Sequence, residues 1–198
     1  MKNASTTMNL ATFLSIFPAI GVGFGAQGTP EKPEPYAVTL PNSVVKVDMV
    51  QVPEGTVEID GKPVKVKPFF MATTETTWEA FDVFLKSGPP SKPYDQTQYT
   101  ADAVARPSRS YHLPDLGWGH RGYPAINLTF ASVEMYCRWL SSVSGKKYRV
   151  PTEAEWELAA RGGTSGAWKL NKEETEKVSW NLENSEEVTH PVGKKSAN

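Results

Sequence analysis

Prolines constrain the fold of this chain more than any other feature, because each one fixes its own φ angle, restricts the residue before it and removes a hydrogen-bond donor. The 198 residues include sixteen prolines, fifteen glycines and six tryptophans. This composition indicates a loop-rich, irregular domain rather than a helix bundle or a coiled coil. With 39% hydrophobic residues, one globular core is still expected. The net charge of -1 gives no reason to expect a nucleic acid as partner.

The N-terminus has the pattern of an export signal. Lys2 precedes an apolar run over 10–20, and small residues follow it over 21–26. We therefore expect a signal peptide over 1–26, a Pro-rich linker over 27–42, and export to the periplasm or the extracellular space. The apolar run is short for a membrane span, so no integral span is expected after cleavage. An uncleaved N-terminal anchor is the alternative.

Short strands are predicted in the first part of the remaining chain. Residues 43–52 alternate partly between polar and apolar, and 56–66 form two β-branched runs around Asp60-Gly61. An Asp-Gly pair in that setting is a strong hairpin signal. Residues 68–71 and 124–128 are expected to be further strands, the second one buried.

Capping signals predict three helices. Thr76 with Glu79, and Thr152 with Glu155, have the spacing of a capping box, and Thr129 can cap a helix between them. The helix after Thr129 has apolar residues at helical spacing and is expected to end at Gly145. The inward-facing residues are predicted to be Trp78, Phe81, Phe84 and Leu85 in the first helix, Val133, Tyr136, Cys137, Leu140 and Val143 in the second, and Trp156, Ala159 and Ala160 in the third.

Few side chains suggest chemistry. Cys137 is the single cysteine and falls on an apolar helix face, so a buried, inert thiol is favoured over a nucleophile. Glu153 and Glu155 are expected to stabilise a helix N-terminus rather than catalyse, with Arg161 near the other end placed for the helix dipole or an ion pair.

Two further groups of residues are not expected to have a functional role. The histidines at 112, 120 and 190 do not have the spacing of a metal site and are expected to be solvated in loops. Asn127-Leu128-Thr129 matches an N-glycosylation pattern, but its predicted place in a buried strand argues against use.

Two long motifs carry a resemblance to a known family. Residues 123–140, YPAINLTFASVEMYCRWL, and 148–163, YRVPTEAEWELAARGG, resemble the two signature elements of the formylglycine-generating enzyme (sulfatase-modifying factor) family. Weaker matches stand in the same order at 70–71, 75–77, 178–180, 184–185 and 190–193. The resemblance covers roughly residues 45–198. It implies an irregular α+β fold related to C-type lectins, over a domain that we place at 43–198.

The resemblance also implies which cofactors to look for. Family members usually bind calcium through an asparagine, a neighbouring carbonyl and an acidic residue, which would map to Asn184, Ser185 and Glu186, or Glu187 as the acid. Because calcium takes about six to eight oxygens, a plain surface turn is the favoured alternative there. Catalytic members hold copper through a late pair of cysteines, which suit Cu(I), and a single cysteine cannot supply that pair.

These observations lead to two hypotheses about function. The first is an exported, non-catalytic module that binds a protein or a cell-envelope component, since fold does not fix function. The alternative is the N-terminal half, or a fragment, of a copper-dependent formylglycine-generating oxidase that acts on a sulfatase cysteine and needs a complementary C-terminal half. In either case the domain is expected to be truncated, with exposed apolar surface as a consequence.

Overall fold

The computed structural model describes residues 33–87, 115–163 and 171–197, and within these ranges the chain is a mixed α+β domain. The signal peptide predicted over 1–26 and His112 lie outside the described residues. The strands and helices are β1 Tyr36–Thr39, β2 Lys46–Val52, β3 Gly55–Ile59, β4 Lys62–Val66, β5 Phe69–Ala72, α1 Trp78–Lys86, α2 Phe130–Ser144, α3 Glu153–Ala160 and α4 Lys172–Val178. The α+β class predicted from the sequence is confirmed.

A three-stranded antiparallel sheet has the order β1-β2-β5. Tyr36 pairs with Met49 at one end, and Val52 pairs with Phe69 at the other. Successive side chains of a strand point to opposite faces, and both faces of β5 carry buried side chains. Phe70 enters a first core, while Phe69 and Met71 enter a second. One strand therefore separates the two cores.

The hairpin β3–β4 turns at the predicted Asp60-Gly61 pair. Both residues have positive φ, 50° and 73°, which a tight two-residue turn requires, and Ile59 pairs with Lys62 across it. Gly55 begins β3 where helix α3 crosses it, and a Cβ at Gly55 would stand 2.5 Å from Leu158 Cδ1. The absence of a side chain there permits close packing of α3.

The first core lies between the sheet and the helices α1 and α2. Thr77 caps α1, Thr129 caps α2, and Gly145 ends α2 in the left-handed conformation with a φ of 72°. Aromatic rings dominate the contacts, with Phe81, Phe84, Tyr136 and Trp139 packed at centroid distances of 5.3–5.7 Å. Such ring pairs stabilise a core beyond their buried area.

The second core is smaller. Val57, Val66, Phe69 and Met71 form it, and α3 covers it with Ala154, Leu158 and Ala159. Helix α4 contributes no buried side chain. In the part of the chain that the structure describes, no helix combines the length and the apolar character needed to cross a membrane.

Two boundary predictions are wrong. The segment 27–42 was expected to be a linker, but Tyr36–Thr39 forms β1, because Tyr36 and Val38 pack against the first core. The cap of α1 is Thr77 rather than Thr76, and Glu79 does not complete a capping box. Thr76 is buried instead, and its carbonyl accepts from the Ala125 amide.

One strand prediction and two burial predictions are also wrong, although Ala125 of the predicted strand is buried as expected. Residues 124–128 make one isolated bridge, between Thr77 and Pro124, and Asn127 has a φ of 56°, which no strand can continue. Val143, one residue before the end of α2, is 41% exposed. Trp156 is also exposed, since α3 presents Ala154 and Leu158 to the second core and Trp156 to solvent.

Candidate functional site

The loop over 115–125 lies against helix α1, and backbone bonds fix its far end. The Trp78 amide donates to the Tyr123 carbonyl at 3.0 Å, and the Ala125 amide donates to the Thr76 carbonyl at 2.8 Å. Glu79 holds the middle of the loop, because both of its carboxylate oxygens accept from the Gly122 amide, at 2.8 and 2.9 Å. A carboxylate that accepts an N–H in this way makes one of the stronger protein hydrogen bonds.

His120, two residues before Gly122, stands between two carboxylates. Its Nδ1 lies 3.1 Å from Asp115 Oδ2, and its Nε2 lies 3.4 Å from Asp82 Oδ2. The imidazole also stacks on the ring of Trp78, with centroids 5.4 Å apart and planes inclined by 13°. The expectation that His120 is simply solvated is therefore wrong, although 41% of its side chain remains exposed.

Asp115 is held from two sides. The Gly117 amide donates to its Oδ1 at 2.9 Å, and this bond is the main reason why the pKa of the Asp115 carboxyl is lowered. Partial desolvation opposes the shift, and the hydrogen bond and charge of His120 add to it. Asp115 is thus a stable anion that holds the backbone at Gly117 and the ring of His120.

The C-terminal segment joins the same loop. The Val192 amide donates to the Gly122 carbonyl at 2.8 Å. Nearby in sequence, His190 stacks on Trp180 with centroids 3.8 Å apart, and its Nε2 lies 2.9 Å from the Ser185 carbonyl. The expectation of a simply solvated ring is therefore also wrong for His190. Gly122 links Glu79 of α1 to the C-terminal segment through its two backbone groups.

The residues predicted for calcium lie together in a turn. Asn184 Oδ1 accepts from the Asn181 amide at 2.7 Å, and its Nδ2 donates to the Ser179 carbonyl at 3.0 Å. Ser185 offers a carbonyl that already faces His190, and Glu186 is exposed. Because calcium needs about six to eight oxygens, this arrangement fits a hydrogen-bonded turn better than a calcium site. The calcium site with Asn184, Ser185 and Glu186 stays a prediction.

Cys137 is buried in the first core, as predicted. Its residue is 2% exposed, and burial raises the pKa of the thiol to about 12, with a smaller contribution from Glu134. A thiol needs to ionise to act as a nucleophile or a metal ligand. Cys137 is accordingly an inert core side chain. Across the described ranges, no group of three or more His, Cys, Asp or Glu residues is placed to hold a metal ion.

The carboxylates of α3 act as the capping interpretation predicts. Thr152 and Glu155 form a capping box, and Arg149 pairs with both carboxylate oxygens of Glu155 at 2.6 and 2.8 Å. Arg161 pairs with Glu157 one turn away, at 2.7 Å, which confirms the ion-pair alternative. The role of Arg149 was missed from the sequence, where it stands six residues before its partner.

Asn127 lies in an exposed turn rather than in a buried strand. The argument against glycosylation from burial therefore fails, and a short polar residue in the left-handed conformation explains the asparagine without any glycan. Use of this site stays untested.

Sequence reasoning also missed the grouping of Glu79, Asp82 and Asp115 around the loop. The contact between Asp82 and His120 spans 38 residues, and that between Glu79 and Gly122 spans 43. No local spacing rule connects residues so far apart. The nearest available signal was the pairing of a histidine with an aspartate five residues earlier, at Asp115.

Comparison with known proteins points to one family. A family model described as "Sulfatase-modifying factor enzyme 1-like domain" matches residues 36–198. A formylglycine-generating enzyme of Mycobacterium tuberculosis is 40% identical over 53 residues, which cover 27% of this chain and 16% of the relative. A formylglycine-generating enzyme of Streptomyces coelicolor is 43% identical over 53 residues, which cover 25% of this chain and 15% of the relative.

A third relative is named for a different activity. The serine/threonine-protein kinase pkn1 of Chlamydia pneumoniae is 30% identical over 154 residues, which cover 74% of this chain and 24% of the relative. The chain thus spans at most about a quarter of the length of these curated relatives. No solved structure matches it significantly.

Proposed function

Since the chain belongs to the sulfatase-modifying factor enzyme 1-like domain family, we propose that its 198 residues form a non-catalytic binding module of that family. The observation that carries the proposal is the state of Cys137. The resemblance of this chain to the family implies that formylglycine formation uses copper held by two cysteines. This sequence contains one cysteine, and that one is buried with a raised pKa.

The polar groups of the described residues support the same proposal. Glu79, Asp115 and Glu155 each accept hydrogen bonds from backbone amides, and Glu157 pairs with Arg161. A general acid or base needs a proton-transfer group directed at a substrate. These carboxylates are instead used to position loops and cap helices, which is a structural role.

The kinase relative supports a module as well. A protein named for a different activity shares 30% identity over 154 residues with this chain. A sequence of this kind therefore accompanies more than one activity, as expected of a binding domain combined with other functions. We further propose a C-type-lectin-like arrangement, export through the 1–26 segment, and a protein or cell-envelope component as partner.

An aldehyde assay tests the non-catalytic proposal. The purified chain is incubated with copper, oxygen and a sulfatase-type cysteine peptide, and the peptide is analysed for hydrazine-reactive aldehyde by mass spectrometry. We expect no aldehyde above the protein-free reaction, and the same result for Cys137→Ala. A formylglycine-generating enzyme serves as positive control. Stoichiometric aldehyde formation by the chain, lost in Cys137→Ala, would overturn the proposal.

One observation favours the alternative, an N-terminal half of a formylglycine-generating oxidase. Trp180 and Leu182 are exposed by 39% and 80%, and no described residue after Tyr148 is buried. A complementary half could cover these side chains. Adding a separately produced C-terminal segment of a formylglycine-generating enzyme should then yield aldehyde and reduce the exchange of amides near Leu182. Neither change is expected if the module acts without such a half.

A further inference from the structure

The described residues 171–197, which we refer to as the C-terminal unit, contribute no side chain to either core. None of these residues is buried, and neither core includes even a partly buried side chain from this stretch. Burial of apolar surface is the main force that attaches one part of a fold to another. The attachment of the C-terminal unit to the rest of the described chain therefore depends on other contacts.

A single backbone hydrogen bond joins the C-terminal unit to the other described residues. The Val192 amide donates to the Gly122 carbonyl at 2.8 Å. Next to this bond Gly193 lies close to Thr74, since a Cβ at Gly193 would stand 3.6 Å from Thr74 Cγ2. Among the described residues, the other hydrogen bonds and the ion pairs of the unit are made within it. Because one hydrogen bond contributes little net stability, the unit can leave the body at small cost.

Internal contacts make the C-terminal unit one piece. The Trp180 ring stacks on His190 with centroids 3.8 Å apart, and Lys195 Nζ lies 3.8 Å from the centroid of the same ring. The Ser196 amide donates to the Lys177 carbonyl at 3.0 Å, so the end of the chain returns to helix α4. A seven-residue helix is too short to be stable alone in water. Helix α4 and the contacts around the tryptophan therefore form and break together.

We propose that the C-terminal unit is released from the body cooperatively, as a whole, while both cores and the loop over 115–125 stay folded. Release breaks the bond between Val192 and Gly122 and melts α4 in the same step. Gly122 remains in place, because Glu79 of α1 holds its amide at 2.8 and 2.9 Å. The fold thus contains a detachable segment, and few contacts set the equilibrium between its attached and released states.

Release changes the surface that the chain presents. The Gly122 carbonyl loses its donor and becomes available to another one, and Trp180 loses the imidazole and the ammonium group that lie against its ring. A ligand that binds either surface only in the released state shifts the equilibrium toward release by its differential affinity. This equilibrium does not depend on the module proposed above being non-catalytic.

Native-state hydrogen exchange of the full chain tests the release. The amides of Thr175, Val192 and Ser196 are bonded at 2.9, 2.8 and 3.0 Å and report on the C-terminal unit, whereas the amide of Leu140 reports on α2. We expect the three amides of the unit to share one protection factor, at least roughly 100-fold below that of Leu140. Their exchange should also depend only weakly on low concentrations of urea, because release exposes little surface.

Two variants show whether the C-terminal unit acts as one piece. Trp180→Ala removes the ring at the centre of its contacts, and the protection factors of its three amides should fall together by about tenfold. The amides of Leu140 and Gly122 should keep their protection. Leu182→Ala, at a side chain that is 80% exposed, is the matched control and should change every protection factor by less than about twofold. Equal protection of the unit and Leu140 in the parent chain, or a fall in Trp180→Ala that is confined to Ser196 or extends to Leu140, overturns the proposal.

Discussion

The region before and including Tyr148 differs sharply from the region after it. Every buried side chain of the described residues lies between Val38 and Tyr148, and the segments 149–163 and 171–197 contain none. The first region is held by aromatic and aliphatic packing around Phe84 and Tyr136. The second is held by helix caps, ion pairs and contacts at the edge of the small second core.

The comparison changes how the motif over 151–163 is understood. This stretch, PTEAEWELAARGG, belongs to one of the two elements that carry the family resemblance, yet its tryptophan is exposed, Glu155 caps the helix and Glu157 pairs with Arg161. Its residues define the shape and ends of a surface helix. A motif can thus identify a family strongly although none of its side chains is fully buried.

The largest expected effect comes from the first region. Leu140 is fully buried in α2, so Leu140→Ala removes core methyl groups and leaves a cavity. We expect a loss of about 2–5 kcal/mol in the free energy of unfolding, measured by urea denaturation. Leu182→Ala makes the same change in the second region at a side chain that is 80% exposed, and should cost less than about 0.5 kcal/mol. Similar losses for the two variants would contradict the comparison.

The second prediction concerns Gly122, whose carbonyl accepts from the Val192 amide and so joins the two regions. Glu79→Gln removes the charged acceptor of the Gly122 amide and replaces one oxygen with a donor. We expect a cost of about 1–2 kcal/mol and faster hydrogen exchange at both Gly122 and Val192. Glu75→Gln changes a glutamate just before the same helix and should have little effect on either amide. If exchange at Val192 is unchanged in Glu79→Gln, the link through Gly122 carries no stability.

Local signals explain what could be predicted from the sequence. The turn at Asp60-Gly61, the end of α2 at Gly145 and the capping box of Thr152 each depend on residues within a few positions of one another. Helix α4 has the same signal, a capping box between Asn171 and Glu174, but it was overlooked because the helix has no apolar face.

The wrong predictions arise from tertiary contacts. Glu79 has the spacing of a capping residue, but its carboxylate binds an amide 43 residues away. Trp156 looks like a core residue by type, but the face of α3 that meets the second core carries Leu158. His120 looks solvated because its two aspartates come from different parts of the chain. Composition and periodicity contain no information about such partners.

The third prediction tests the cap that organises α3. Glu155 accepts from the Thr152 amide at 2.8 Å and pairs with Arg149, so Glu155→Gln should cost about 1 kcal/mol. Glu153→Gln alters the same helical turn at an exposed side chain outside the capping box and should cost much less. Urea denaturation of both variants at neutral pH measures the difference.

The same glutamate gives a pH dependence. Burial alone would raise the pKa of Glu155, but the bonds from Arg149 and Thr152 outweigh it and lower the pKa below the usual 4.5. A lowered pKa in the folded state contributes stability above that usual value, and this contribution is lost as the pH falls through the folded-state pKa. The stability difference between the parent chain and Glu155→Gln should therefore shrink as the pH falls below the usual value of 4.5. A difference that grows on acidification would mean that the ion pair does not stabilise the helix.

The smallest expected effect concerns an exposed ion pair of the second region and its dependence on salt concentration. Lys177 pairs with Glu173 on α4 at 2.8 Å, with both side chains largely exposed, so Lys177→Gln should cost about 0.3–0.5 kcal/mol at low salt. Because the screening length falls to about 3 Å at 1 M salt, this cost should disappear there. The cost of Leu140→Ala arises from lost packing and should persist at the same salt concentration. The comparison between the two regions is contradicted if 1 M salt also removes the cost of Leu140→Ala, or if it leaves the cost of Lys177→Gln unchanged.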